Sequence, residues 1–335
     1  MEWRACAAAV LLVVAMHSVP AQAGGGDPLR SEQWGLDQVH IDQAWRTTTG
    51  QGVVVAVIDN GVDVMHPDLR GQFVPGHDFS GTGNVQDDCG HGTEVAGVII
   101  ARRANGRGIA GVAPGARVMP LREGGGCAHQ FLQIIEAISW AADHGAKVVN
   151  ISVGTVPVAG DALVKVSFEA QLQAAVDHAW ARGTLVVAGA GNSTIPICGY
   201  PAAAHRVLCV GAVGQDRLKA SYSNNEARTD VDYLVAPGGA GLPGSVDIWT
   251  TMAGSRGSDV GTPTSSSTSS EYAPLSGTSF SGPFVAGIAA LLFSQGLNVQ
   301  QVHDRLLHTA TDLGVPGRDP IYGWGEVDAA AALKG

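Results

Sequence analysis

The sequence predicts an α/β fold, a mostly parallel β-sheet with helices on both faces in a three-layer arrangement. Apolar, β-branched runs alternate with segments of helical period between Gly52 and Gly191. The strand-like runs are apolar at nearly every position, the pattern of strands covered on both sides. One compositional regime then continues from Gly52 to the end, without a repeat of roughly 20–50 residues. Residues 24–335 are therefore read as a single domain, its first residues forming a short N-terminal extension.

The alternation opens with "GVVVAVID" (52–59), followed by "GTEVAGVIIARR" (92–103) and "ARVMPLR" (116–122). It goes on with "FLQIIEAISWAADHG" (131–145), "KVVNISV" (147–153), "LQAAVDHAWARG" (172–183) and "TLVVAGAG" (184–191). Right-handed crossovers would bring every strand's C-terminal end to one edge, where α/β sheets bind ligands. Polar residues collect at those ends: Asp59, Asn150, Ser152 and Asn192. Residues 237–270 are rich in Gly, Ser, Thr and Pro and read as surface loops around a short strand, "DIWTTM" (247–252).

The chain is 45% apolar and 15% charged, which argues against disorder. Its formal charge of −10 offers neither a basic stripe for nucleic acid nor a polybasic patch for lipid. Residues 1–23 combine a charged lead, an apolar run shorter than a membrane span, and "AQA" ending at Ala23. They read as a signal peptide, so the expected location is extracellular or periplasmic, with no membrane anchor. Removing the leader takes Cys6 and leaves Cys89, Cys127, Cys198 and Cys209, an even set in an exported chain. Of the three possible pairings, Cys198 with Cys209 closes a short loop before "VLCVGAV", which leaves Cys89 with Cys127.

The stretch "SGTSFSGPFVAG" (276–287) sets Ser279 at the start of a buried-helix pattern. A serine hydroxyl becomes a nucleophile only with a base in reach and a third group orienting that base. His91, in "CGHGTEVAG", sits where a glycine-flanked loop opens a helix and is the best base among 11 histidines. Asp59 ends a buried strand, where a carboxylate needs hydrogen bonds such as one from His91 Nδ1. Asn192 ends another strand, and its amide together with the Ser279 N–H could bind an oxyanion. Pro283 is expected in the first helical turns, where a missing N–H matters least.

These segments, "VAVIDNGVDVMHPDL", "GHGTEVAGVI", "GIAGVAPGA", "VVNISVG", "VVAGAGN" and "SGTSFSGPFVAG", together resemble the subtilisin-like serine peptidases, the S8 or subtilase family. The match covers residues 27–333, and the order Asp, His, Ser is that of the family. The pattern after Ser279 is not the G-x-S-x-G elbow of lipases, and "HGTEV" lacks the second histidine of a zinc protease.

The resemblance implies a subtilisin-like fold and a secreted serine endopeptidase working through an acyl-enzyme. Asp59 would orient, His91 would act as base and acid, Ser279 as nucleophile, and Asn192 as oxyanion donor. It places an extended substrate strand on Gly124, Gly125 and Gly126 and on Ser152, Val153 and Gly154. Ser193, after the oxyanion asparagine, brings no carboxylate to the primary pocket, which implies apolar or broad preference. Thermitase-like members further imply a calcium site on Asp27, Asp68 and Asn105, with carbonyl oxygens from Arg102, Arg107 and Ile109. No organic cofactor is implied, the partners are protein or peptide substrates, and a monomer is expected.

The chain departs from the family at several points. Glu94 stands where many relatives have His, and its expected place is facing solvent. Only about twenty residues separate Ala23 from Trp45, so folding without a cleaved propeptide is expected. The sequons at Asn150 and Asn192 overlap the strand ends and are discounted as glycosylation sites. The rival reading is an inactive peptide-binding module of the same fold.

Overall fold

Alternation along β1 (Val54–Asp59) shows how the layers are built: Val55 and Val57 point into one core, Ala56 and Ile58 into the other. The computed structural model describes residues 26–154, 162–254 and 271–334. The signal-peptide segment and most of the Ser/Thr-rich run ending at Ser270 lie outside the described residues. Two short helices, α1 (Trp34–Gln38) and α2 (Ile41–Ala44), lead into β1.

Then come β2 (His77–Asp78), α3 (His91–Ile100), β3 (Arg117–Arg122), α4 (Phe131–Asp143) and β4 (Val148–Ile151). After these follow α5 (Ala162–Ala181), β5 (Leu185–Gly189), β6 (Val207–Val213) and β7 (Tyr233–Pro237). The chain closes with β8 (Ile248–Thr251), β9 (Tyr272–Leu275), α6 (Thr278–Phe293), α7 (Val299–His308) and α8 (Ala329–Lys334).

Seven strands form one parallel sheet in the order β2-β3-β1-β4-β5-β6-β7, while β8 and β9 pair antiparallel beside it. Helices α3 and α6 pack on one face with Val55 and Val57; α4 and α5 pack on the other with Ala56 and Ile58. The fold is therefore the three-layer α/β sheet expected from the alternating runs.

Strand order also locates the site. The chain leaves β1 toward β2 and β3 on one side, and leaves β4 toward β5, β6 and β7 on the other. Diverging connections open a crevice at the C-terminal ends of β1 and β4, the usual place for a ligand in an open α/β sheet. Asp59 ends β1, and Ser152 follows directly on β4.

Both expected disulfides are present, Cys89–Cys127 and Cys198–Cys209. Two expectations need correction. Every residue of α3 is buried, so Glu94 does not face solvent and is only 4% exposed. A helix enclosed on all sides has no polar face for a charged residue to mark. Pro283 lies well inside α6, beyond the turn in which a proline costs no hydrogen bond. In an α-helix, the N–H at position 283 would pair with the carbonyl of Ser279, so the missing donor is the one owed to that residue.

Candidate active site

His91 and Asp59 meet because α3 begins directly over the end of β1. Gly92 makes this approach possible: a Cβ there would lie 1.9 Å from the Gly61 carbonyl oxygen and 3.0 Å from Asp59 Cβ. His91 Nδ1 consequently lies 3.0 Å from Asp59 Oδ1 and 2.9 Å from Oδ2. A carboxylate at Nδ1 keeps the proton on that nitrogen and leaves Nε2 as the acceptor.

Burial disfavours an imidazolium at His91, but the Asp59 charge and hydrogen bond outweigh it. With smaller contributions from Glu94 and Asp87, the His91 pKa is pushed up to about 9. The buried Glu94 thus acts on His91 through its charge.

Asp87, which the sequence reading passed over, shapes the turn into α3. Its carboxylate accepts the backbone N–H groups of Cys89 (2.9 Å), Gly90 (2.7 Å) and Thr93 (3.0 Å), and the Thr93 hydroxyl as well. The signal was available in "DDCGHGT", an acidic residue just before a helix start, where orphan N–H groups need acceptors. Cys127 pins the same turn from outside, one residue beyond Gly126. The buried Arg122, at the end of β3, joins the two loops by donating to the Gly124 and Gln86 carbonyls and pairing with Asp88.

Ser279 is the second residue of α6, a helix that packs against α3. At that position the backbone N–H has no intrahelical acceptor and points out of the helix end. The Ser279 hydroxyl donates to the Ser152 carbonyl at 2.9 Å, so in this arrangement its proton faces the end of β4.

Asn192 lies past β5 with its amide orientation fixed by chemistry. Its Oδ1 accepts both the Thr278 N–H (3.0 Å) and the Thr278 hydroxyl (2.9 Å), which leaves Nδ2 as the outward group. Gly277 leaves space there: a Cβ on it would lie 3.5 Å from Asn192 Nδ2 and 3.7 Å from Ser279 N. The two N–H donors therefore border the same small space. Ser193 follows with its N–H on Asn224 Oδ1 at 2.9 Å, and Asn224 Nδ2 reaches the Ala190 carbonyl at 2.9 Å. Thr278 and Asn224, both missed in the sequence, hold this loop through contacts between residues distant in the chain.

The segments read as substrate edges lie on either side of the crevice. Gly124, Gly125 and Gly126 follow β3, and Ser152, Val153 and Gly154 follow β4 with Val153 buried and Gly154 exposed. Asn150 is fully buried, which agrees with discounting its sequon.

Asp27, Asp68 and Asn105 come together at a separate place. Asp27 accepts from the backbone of Ala104 (2.7 Å) and Asn105 (2.9 Å); Asp68 accepts from Asn105 Nδ2 (2.5 Å) and the Ile109 N–H (3.3 Å). Burial raises the Asp68 pKa, against the Asn105 and Ile109 hydrogen bonds, and the Asp27 charge adds to the rise. Two neighbouring carboxylates and one amide form a donor set that suits a hard cation, provided that the Asn105 amide turns its oxygen toward Asp68. No group of three or more His, Cys, Asp or Glu side chains with metal-binding placement occurs among the described residues.

Comparison with known proteins gives the family. The family model described as the subtilase family matches residues 50–325. A thermophilic serine proteinase of Bacillus sp. (strain AK1) is 39% identical over 87% of this chain, which spans 65% of that protein's length. Thermitase of Thermoactinomyces vulgaris is 35% identical over 91% of this chain and 96% of its own. Subtilisin Savinase of Lederbergia lenta is 37% identical over 91% of this chain and 100% of its own. Among solved structures, a protease from Pseudoalteromonas arctica superposes with a TM-score of 0.77 at 30% identity, covering 93% of this chain and 99% of that one. With the aspartate–histidine pair seated beside a serine-bearing helix and these relatives spanning most of its length, the chain belongs to the subtilase family of serine-type endopeptidases.

Proposed function

We propose that the chain is an exported endopeptidase that cleaves peptide bonds through an acyl-enzyme on Ser279. The observation that carries this reading is the buried Asp59–His91 pair at 2.9 Å, next to the helix whose second residue is Ser279. His91 Nε2 takes the Ser279 proton as Oγ attacks the substrate carbonyl carbon. Asp59 stabilises the imidazolium so formed, while the Ser279 N–H and Asn192 Nδ2 bind the oxyanion. His91 then protonates the leaving amine, and in the second half it activates the water that hydrolyses the ester. The substrate lies as an extended strand between residues 124–126 and 152–154.

Incubation of the purified protein with a fluorophosphonate tests the assignment. Phosphonylation of Ser279, lost in His91→Ala, is expected; a folded protein that is never labelled would instead be the peptide-binding module. Export is supported by the leader sequence and the two disulfides.

We further propose that Asp27, Asp68 and the Asn105 amide hold a calcium ion. It would serve as a cross-link between the N-terminal segment and the loop after α3, and would relieve the repulsion between the two carboxylates. Thermal unfolding should move to higher temperature from chelator to millimolar calcium, and Asp68→Asn should remove that dependence. An unchanged midpoint in the unsubstituted protein would refute the site.

A further inference from the structure

We propose that Ser152, oriented by Asn150, is a positioning residue that replaces the helix donor Pro283 cannot supply; the proposal rests on the reading of Ser279 as nucleophile. Proline at 283 removes the N–H that would otherwise bond the Ser279 carbonyl within α6. Ser279 is half-buried, and a carbonyl kept from water there without another donor is costly. Here the donor comes from the residue just past β4 instead: Ser152 Oγ donates to the Ser279 carbonyl at 2.9 Å.

The direction of that bond is set by the next residue inward. Asn150 Nδ2 donates to Ser152 Oγ at 2.9 Å, so the hydroxyl accepts from Asn150 and has its single proton left for Ser279. Asn150 sits in β4 between Val57 of β1 and Val187 of β5, and is fully buried. Gly282 lets α6 come this close, since a Cβ there would stand 3.3 Å from Asn150 Oδ1.

With the Ser279 hydroxyl donating back to the Ser152 carbonyl at 2.9 Å, residues 152 and 279 exchange two hydrogen bonds. During reaction the second must break as the hydroxyl turns to His91, whereas the first can persist. The backbone of Ser279, which carries both the nucleophile and an oxyanion N–H, is thereby fixed to the centre of the sheet. Proline keeps the helix from competing for its carbonyl.

Four variants of the whole chain test this: Ser152→Ala, Asn150→Asp, Pro283→Ala, and Ser152→Ala combined with Pro283→Ala. Each is measured for kcat and KM on a peptide amide, for the rate of fluorophosphonate labelling, and for thermal unfolding. Ser152→Ala should lower kcat and the labelling rate about tenfold, with KM within about twofold. Asn150→Asp keeps the shape but takes the Ser152 proton for its own carboxylate, and should show the same loss. Pro283→Ala alone should stay within about threefold of the unsubstituted enzyme. In the double variant the restored N–H should return most of the lost kcat, a rescue that loss of packing alone would not show.

Wild-type kcat and labelling in Ser152→Ala would overturn the proposal, as would a double variant no faster than Ser152→Ala or a Pro283→Ala variant that has lost activity. If Asn150→Asp does not fold, the comparison of Ser152→Ala with the double variant decides. Failure of the unsubstituted protein to label at Ser279 would defeat the nucleophile assignment. Normal labelling with an unaffected Ser152→Ala would defeat only the positioning role.

Discussion

At His91, burial and a neighbouring carboxylate act in opposite directions, and the carboxylate wins. On the proposed mechanism only the neutral His91 imidazole takes the Ser279 proton, so kcat/KM should rise with pH through a midpoint well above 6.5, toward the alkaline side. The sign for stability is the reverse. A histidine whose folded pKa is raised stabilises the fold below its unfolded pKa, and that contribution is lost as pH climbs through about 9. Asp59→Asn removes the counter-charge, so the activity limb should move to lower pH while kcat falls about ten-thousandfold; a limb that stays in place would sink this account. Asp59, His91 and Ser279 stand out in the sequence because local pattern marks the end of β1 and the starts of α3 and α6, where they sit. Glu94 and Pro283 were misread because their setting depends on which face of a helix is enclosed and on where a helix begins.

α3 is fixed at its first turn from two sides, by the Asp87 carboxylate within and by the Cys89–Cys127 bridge without. Replacing both cysteines by serine releases a constraint spanning 38 residues and should cost about 2–4 kcal/mol. Calorimetry should show a lower unfolding temperature, and a non-reduced sample matching the variant would refute the bridge's contribution. The main elements were legible because fully apolar runs and helical periods differ over seven or more residues. The two-residue β2 was not, since nothing so short carries a period. The antiparallel partner of "DIWTTM" was also hidden: β9 (Tyr272–Leu275) is separated from it by a Ser/Thr-rich run and includes Pro274.

Across the whole molecule, the two ends of the described chain are joined around one buried acid. Glu326 receives the Gln38 amide from α1 and lies 3.1 Å from Arg217 Nε, while His40 and Asp328 pair beside it at 2.9 Å. The Ala329 N–H reaches the Val39 carbonyl at 2.9 Å, continuing the join into α8. Burial pushes the Glu326 pKa up to about 7, against the pull of Gln38, Arg217 and His40. The folded chain therefore holds this proton more tightly than the unfolded one, and stability from it is lost as pH rises from about 4.5 to about 7. Glu326→Gln should flatten that slope, so its advantage in unfolding temperature should grow from pH 5 to pH 8; an equal offset at both would contradict it. None of these partners is near in sequence, and no pattern marks them. The Cys89–Cys127 bridge has one more effect at this scale, because a peptidase in concentrated solution is exposed to its own kind. A nick anywhere between those cysteines leaves both pieces tied together, His91 still bound to the sheet, and the broken chain intact on a non-reducing gel.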